Sequence, residues 1–361
     1  MAVSTMRIMA AVLLLVGSSD MSLNAAHNYK GCTMQMSTPI GLSTCKDNGI
    51  LYCVDPAGRF YGKSISTNGN ETEVVVSPTG ANAIHPFRFH AVGSPVSMSV
   101  SISGAVAILT LDEHSGVVCS VYSQSLGKPV FHIACGGYSS GVSFSPDGSV
   151  FALGRSTNGM VQGQKVDVYS TRTFERVHEL RGFSWGHVSA IAFSPDGKHI
   201  AATSISGESL KGELLEWDLT TGNKQFEVSQ QGTVKEDVDA GLLAYIGNSD
   251  ILCGFKRYHV GSHTSTDIPL KFEGEFELKG VCRVGNYAIL VSEDLDRHCM
   301  VLSDITSSIL RPARRLKLSA GESIVSVCAN TATVYLANQA KMRTIKLDYR
   351  DHKIIVGRSI P

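Results

Sequence analysis

The five residues Phe-Ser-Pro-Asp-Gly occur twice in this chain, at positions 144–148 and 193–197. Each copy has the same surroundings. Alternating apolar residues lead into it (Val142 and Phe144; Ile191 and Phe193), and a strand-like run ending in small residues follows, at 150–154 and 200–204. A further strand pattern comes at 165–170 in one copy and at 213–219 in the other, and the two copies stand 49 residues apart. The motif acts locally. Pro presets φ for a turn, Asp bonds nearby backbone amides, and Gly takes the φ > 0 position. Such a turn joins two strands in a fixed register.

A strand–turn–strand unit that returns at this interval is the sequence sign of a β-propeller blade, slightly above the usual ~40–45 residues. Period-2 apolar alternation appears elsewhere too, as in Val96, Met98, Val100 and Ile102, or Val325 and Val327, then Val334 and Leu336, then Ile345 and Leu347. Read this way, the units fall at 5–37, 39–76, 96–135, 141–180, 187–228, 237–278, 281–318 and 323–355, with a Gly-, Pro- and His-rich link at 78–95. No amphipathic helix pattern emerges. The expectation is an all-β chain: a single propeller domain over residues 1–361, with seven blades, clearest at 96–135, 141–180 and 187–228. The terminal segments would close the ring by sharing strands.

Lys plus Arg and Asp plus Glu balance at 32 each. A neutral chain does not present the broad positive face that sequence-independent nucleic-acid binding needs. The local exception is the segment 311–317, with Arg311, Arg314, Arg315 and Lys317, which reads as a solvated blade edge or loop. Nine cysteines are scattered without any C-x-x-C pair, and several lie within apolar strand patterns, such as Cys119 and Cys328. Thiols so placed behave as small hydrophobes in a reduced core and point to the cytoplasm. The N-terminus offers an alternative. The apolar run 8–16 followed by Gly17-Ser-Ser fits a cleaved signal peptide, and Asn70-Glu-Thr is a glycosylation sequon. The competing reading of that run is two propeller strands, at 5–10 and 11–17. The run is too short to span a bilayer, and no other apolar run approaches membrane length.

No Walker loop, nucleophile elbow, H-E-x-x-H or paired Cys/His zinc spacing is present. His259 and His263 have i, i+4 spacing, with His298 further on, but Gly261 between them marks a loop rather than a metal-binding helix face. Glu293, Asp294 and Asp296 read as an acidic turn between strands. No catalytic residue and no cofactor site is predicted.

Trp217-Asp218, together with Asp147-Gly148, Asp196-Gly197 and the Gly186-His187 pair that opens a unit, resembles the WD-repeat propellers. That resemblance implies a structural role for Asp147, Gly148, His187, Asp196, Gly197, Trp217 and Asp218, with His187 and Trp217 sharing a hydrogen-bond network with Ser/Thr and Asp. It also implies a non-enzymatic platform for protein partners, a monomer within a complex. A narrower resemblance is to the exchange factors that load GTP onto the small GTPase of the COPII vesicle coat (the prolactin regulatory element-binding protein type). Those factors are propellers of similar size, with an N-terminal strand ending in a polar loop. Here the strand would be 12–16 and the loop 17–24, and the resemblance implies that Asp20 and Asn24 hold a potassium ion beside a small GTPase at the endoplasmic reticulum surface. The signal-peptide reading implies instead a secreted propeller.

Overall fold

The computed structural model describes residues 28–29, 32–33, 45–47, 50–66, 71–79, 86–112, 116–124, 127–136, 140–156, 164–184, 186–205, 211–236, 238–239, 242–268, 275–306, 314–328, 330–338, 342–350 and 353–357. The strands expected at 5–10 and 11–17 lie outside them, as does Asn70 of the sequon, whose Glu71 and Thr72 begin a strand.

The repeated turn forms as its chemistry requires. Ser145 Oγ donates to Asp147 Oδ1 (2.6 Å), Asp147 Oδ1 accepts the Ser149 amide (3.0 Å), and Gly148 adopts φ +73°. The second copy repeats this with Ser194, Asp196, the Lys198 amide and Gly197 at φ +71°. The same turn recurs where its letters differ. Asp55 takes the serine position in the first unit, accepting the Phe60 amide at 2.5 Å, and Ser101 takes it in the second, accepting the Ala105 amide at 3.0 Å. In each, a glycine three residues on closes the turn with its amide on the carbonyl of that first residue.

These turns join the two inner strands of antiparallel sheets built from consecutive segments. Blade 1 holds Ile50–Val54, Phe60–Ser66, Glu71–Pro78 and Phe87–Val92, with Cys45–Asp47 added along its inner edge. Blade 2 spans 94–134, blade 3 spans 142–181 and blade 4 spans 187–228, the last with Val238–Asp239 paired onto its third strand. Blade 5 has short strands, Leu243–Tyr245, Asp250–Cys253, Lys256–His259 and Thr264–Asp267. Blade 6 holds Phe276–Val284, Tyr287–Asp294, Cys299–Asp304 and Arg314–Lys317. Blade 7 holds Ser323–Cys328, Thr333–Ala337, Met342–Arg350 and Lys353–Val356. The seven sheets make the ring of a β-propeller, and no helix occurs among the described residues.

Three boundaries differ from the sequence reading. The unit read at 237–278 ends at Asp267, and Phe276 already begins blade 6. Strands of three or four residues are too short to show a period. The stretch read as a link at 78–95 contains the outer strand Phe87–Val92, whose Phe89 and Ala91 are buried. The last blade has four strands of its own, so among the described residues the ring is closed by packing rather than by a shared strand.

The core lies between blades. One apolar cluster fills each interface: Val74, Phe89 and Met98 between blades 1 and 2, Leu109, Phe144 and Phe151 between 2 and 3, Val168, Ile191 and Trp217 between 3 and 4. Phe226 and Tyr258 lie between blades 4 and 5, Leu252 and Leu290 between 5 and 6, Met300 and Val334 between 6 and 7. At the closing seam, Tyr52, Val54 and Tyr61 meet Val325, Cys328 and Tyr335. Each such side chain contributes about 1.5–3 kcal/mol by leaving water.

Candidate functional site

Two features of this ring stand out as candidates: the turn-lined mouth of its axial channel and a basic stretch of its outer rim. The mouth lies where the inner strands run into their turns. Residues from all seven blades line it, among them Asp55, Ser99, Phe144, Tyr245, Arg283 and Asn330. The cavity measures about 80 Å³. That is room for a few waters, well below the ~300–1,000 Å³ of sites that enclose whole small molecules.

Few groups in this mouth are free to act. Burial raises the Asp55 carboxyl pKa, and its oxygens are held by the amides of Ala57 (2.9 Å) and Phe60 (2.5 Å). The Cys328 thiol donates to the Pro56 carbonyl (3.4 Å). Tyr245 donates to Glu216 Oε1 at 3.4 Å, and His199 Nδ1 stands 3.1 Å from the same oxygen. Burial raises the pKa of Glu216 and pushes that of Tyr245 well up. Arg283, half-buried near the end of the blade 6 inner strand, makes no side-chain hydrogen bond or ion pair among the described residues.

The rim follows from charge segregation. Residues 297–361 hold eleven Lys and Arg against four Asp and Glu, which leaves 21 against 28 in the rest of the chain. Strand register sorts these cations onto two flanks. In blade 6, Arg314 and Leu316 lie opposite Leu302 and Met300, which pack toward blade 7, so Arg315 and Lys317 point the other way. In blade 7, Tyr349 and Ile354 pack on blade 6, which turns Lys346, Arg350 and Lys353 outward on the far side. Arg314 Nη1 ties the two blades by donating to the Ile354 carbonyl (2.7 Å). The segment read as a blade edge is thus the outermost strand of blade 6, with Arg314, Arg315 and Lys317 exposed and Arg311 outside the described residues. Lys346, Arg350 and Lys353 join it through the fold. A charge count taken segment by segment would have found them.

Asp20 and Asn24 lie outside the described residues. His187 opens the inner strand of blade 4, and burial lowers its pKa. Trp217 does not join the network expected with His187. Its indole lies between blades, edge-on to Phe183 at 5.7 Å, and donates to the Arg181 carbonyl of blade 3 at 3.2 Å. Asp218 holds its own turn through the amides of Thr220 and Thr221.

The histidines do not converge. His259 is in a strand and contacts Asp250 (3.1 Å), His263 stacks on Phe226, and His298 bonds the Ser319 carbonyl. The acidic trio is spoken for as well. Glu293 meets Lys279 inside the sheet, Asp294 meets Arg297 and Arg315, and Asp296 accepts the Glu275 amide. Among the described residues no group of three His, Cys, Asp or Glu could hold a metal ion, and no helix is long and apolar enough to cross a membrane.

No protein-family model and no curated protein matches the chain. Solved structures do. A hydrazine synthase structure from Kuenenia stuttgartiensis superposes with a TM-score of 0.57 at 14% identity, covering 93% of this chain and 98% of that one. The Cps50 (Swd1) β-propeller domain of Myceliophteria thermophila superposes with a TM-score of 0.53 at 13% identity, covering 83% of this chain and 95% of that one. The fold is that of a seven-bladed β-propeller. At such identities the likeness extends to the fold alone. One of these propellers carries an enzyme's name and the other does not, so architecture leaves function to the surface.

Proposed function

We propose that this chain is a non-enzymatic protein-interaction platform whose partner-facing surface is the basic rim of blades 6 and 7. The observation that supports it is the concentration of exposed cations there, with the side chains of Lys317, Lys346 and Lys353 in no ion pair among the described residues. Free cations on a rigid sheet edge suit an acidic partner, whose approach they would steer. A protein fits better than a nucleic acid. Asp294 and Asp348 stand among the cations, and the two flanks face different ways, whereas a phosphate backbone asks for one continuous positive face. The reading places the protein in the cytoplasm, as a monomer within a complex, and buried cysteines outside any disulfide among the described residues, such as Cys53, Cys119 and Cys282, support a reducing compartment.

The test is cross-linking in the cells of origin, followed by binding measurements at rising salt. Cross-links from Lys317, Lys346 or Lys353 to an acidic partner are expected, and a Lys346→Glu/Lys353→Glu variant should lose the partner without losing stability. Cross-links confined to the other blades would sink the reading.

A second reading, an exchange factor for the small GTPase of COPII transport, is supported by the resemblance of the segment 12–24, with Asp20 and Asn24 as its potassium site. Nucleotide release from that GTPase, unchanged on adding this protein in potassium buffer, would remove it. Secretion with a cleaved leader would show as a mature start near residue 20.

A further inference from the structure

We propose that the turn-lined mouth of the axial channel binds an oxyanion, a carboxylate or a phosphate, through Arg283. This stands apart from the rim, because the cation and the cavity are on the channel side of the ring.

Arg283 lies on the long inner strand Phe276–Val284 and is paired across the hairpin with Ala288. Its neighbours in the mouth are apolar or already committed. Asp55 is the one carboxylate of the lining, and both its oxygens are taken by the amides of its own turn. The Tyr245 hydroxyl is given to Glu216. Elsewhere in the ring, partly buried arginines have carboxylates: Arg155 has Asp167 (3.0 Å), Arg257 has Asp250 (3.0 Å) and Arg343 has Glu322 (2.6 Å). Arg283 has none, and it makes no other side-chain hydrogen bond among the described residues. Drawing a guanidinium partly out of water without a partner is unfavourable, and its planar fork matches a carboxylate or phosphate edge with two parallel bonds.

The surroundings can complete the site. Ser99 Oγ accepts the Phe144 amide at 3.2 Å and keeps its own proton to donate, and Asn330 is among the residues lining the same cavity. About 80 Å³ admits a group of a few heavy atoms in place of waters. The ligand is therefore a small free anion, or the acidic tip of a larger partner standing on the channel axis.

The experiment is thermal unfolding of the full chain at fixed ionic strength, balanced with chloride, while inorganic phosphate or acetate is titrated in. A saturable rise in Tm is expected in the wild type and in Lys346→Glu/Lys353→Glu, and its loss is expected in Arg283→Gln. Arg283→Lys should bind at least tenfold more weakly, because the fork is gone. A rise with phosphate alone assigns the site to phosphoryl groups, and a rise with acetate alone assigns it to carboxylates. Without anion, Arg283→Gln should unfold no earlier than the wild type, since an unpaired charge is removed; a lower Tm would make Arg283 structural and overturn the site. No saturable rise with either anion, or an equal rise in Arg283→Gln, would also overturn it. Loss of the rise in the rim variant but not in Arg283→Gln would move the anion to the rim.

Discussion

Gly197 and Gly148 occupy the same place in the same turn, at φ +71° and +73°, yet they stand in different company. A Cβ on Gly197 would meet nothing nearer than Pro146 at 3.8 Å, whereas one on Gly148 would come within 3.1 Å of Ile102. Gly197→Ala should therefore cost only the left-handed backbone term, about 1–2 kcal/mol. Gly148→Ala should cost more, because a side chain of blade 2 must also give way. Urea unfolding of the two variants checks the order.

Acid stability can also be argued residue by residue. The Lys165 ammonium and the Arg181 guanidinium bond the Glu179 carboxylate and bring its pKa from 4.5 to about 2. A depressed carboxylate stabilises the fold above its unfolded value and loses that contribution as pH falls toward the folded one. Between pH 4.5 and 2 the wild type should take up about one more proton on unfolding than Glu179→Gln, seen as a shallower fall of stability in the variant.

At the scale of the element, the inner strand of blade 6 shifts register between Leu278 and Gly280. That bulge brings Gly280 against the next blade, where an added Cβ would lie 2.7 Å from Val327 Cβ. Both atoms belong to rigid inner strands, so neither can yield cheaply. Gly280→Ala should destabilise by about 1–3 kcal/mol, the usual cost of overpacking. Gly247→Ala, with open space around its Cβ, serves as the control in the same denaturation series. Strand length explains what was legible at this scale. The seven-residue strands of blades 2 and 4 show clear alternation and could be placed by reading, whereas the strands of blade 5, four residues or fewer, could not.

For the whole molecule, the seam between blades 7 and 1 carries a distinct burden. Here blades made by the two ends of the described chain are held by side-chain packing, with Tyr335 stacked on Tyr61 at a centroid distance of 6.5 Å and its hydroxyl near the Gly58 carbonyl. Tyr335→Ala should cost about 3–5 kcal/mol, as for other buried aromatic truncations. Native-state hydrogen exchange should accelerate first in the inner strands of blades 1 and 7, because opening the seam needs no strand to be pulled from a sheet. Uniform acceleration around the ring would show instead that all seven interfaces open together.

The sequence by itself determined the repeating turn, the all-β character and the blade count, because Ser, Pro, Asp and Gly act on backbone within a few residues and alternation is read along one strand. It also displayed half of the basic rim, Arg314 to Lys317. Only the tertiary structure decided the rest. The turns at Asp55 and Ser101 share a geometry their letters disguise. Lys346, Arg350 and Lys353 join Arg315 and Lys317 on one rim because two blades stand side by side. Arg283 is one arginine among many until seven strands from distant parts of the chain meet around it and leave it without a carboxylate. Local dihedral preferences are written in neighbouring residues, whereas the charge and shape of a surface depend on which distant residues the ring brings together.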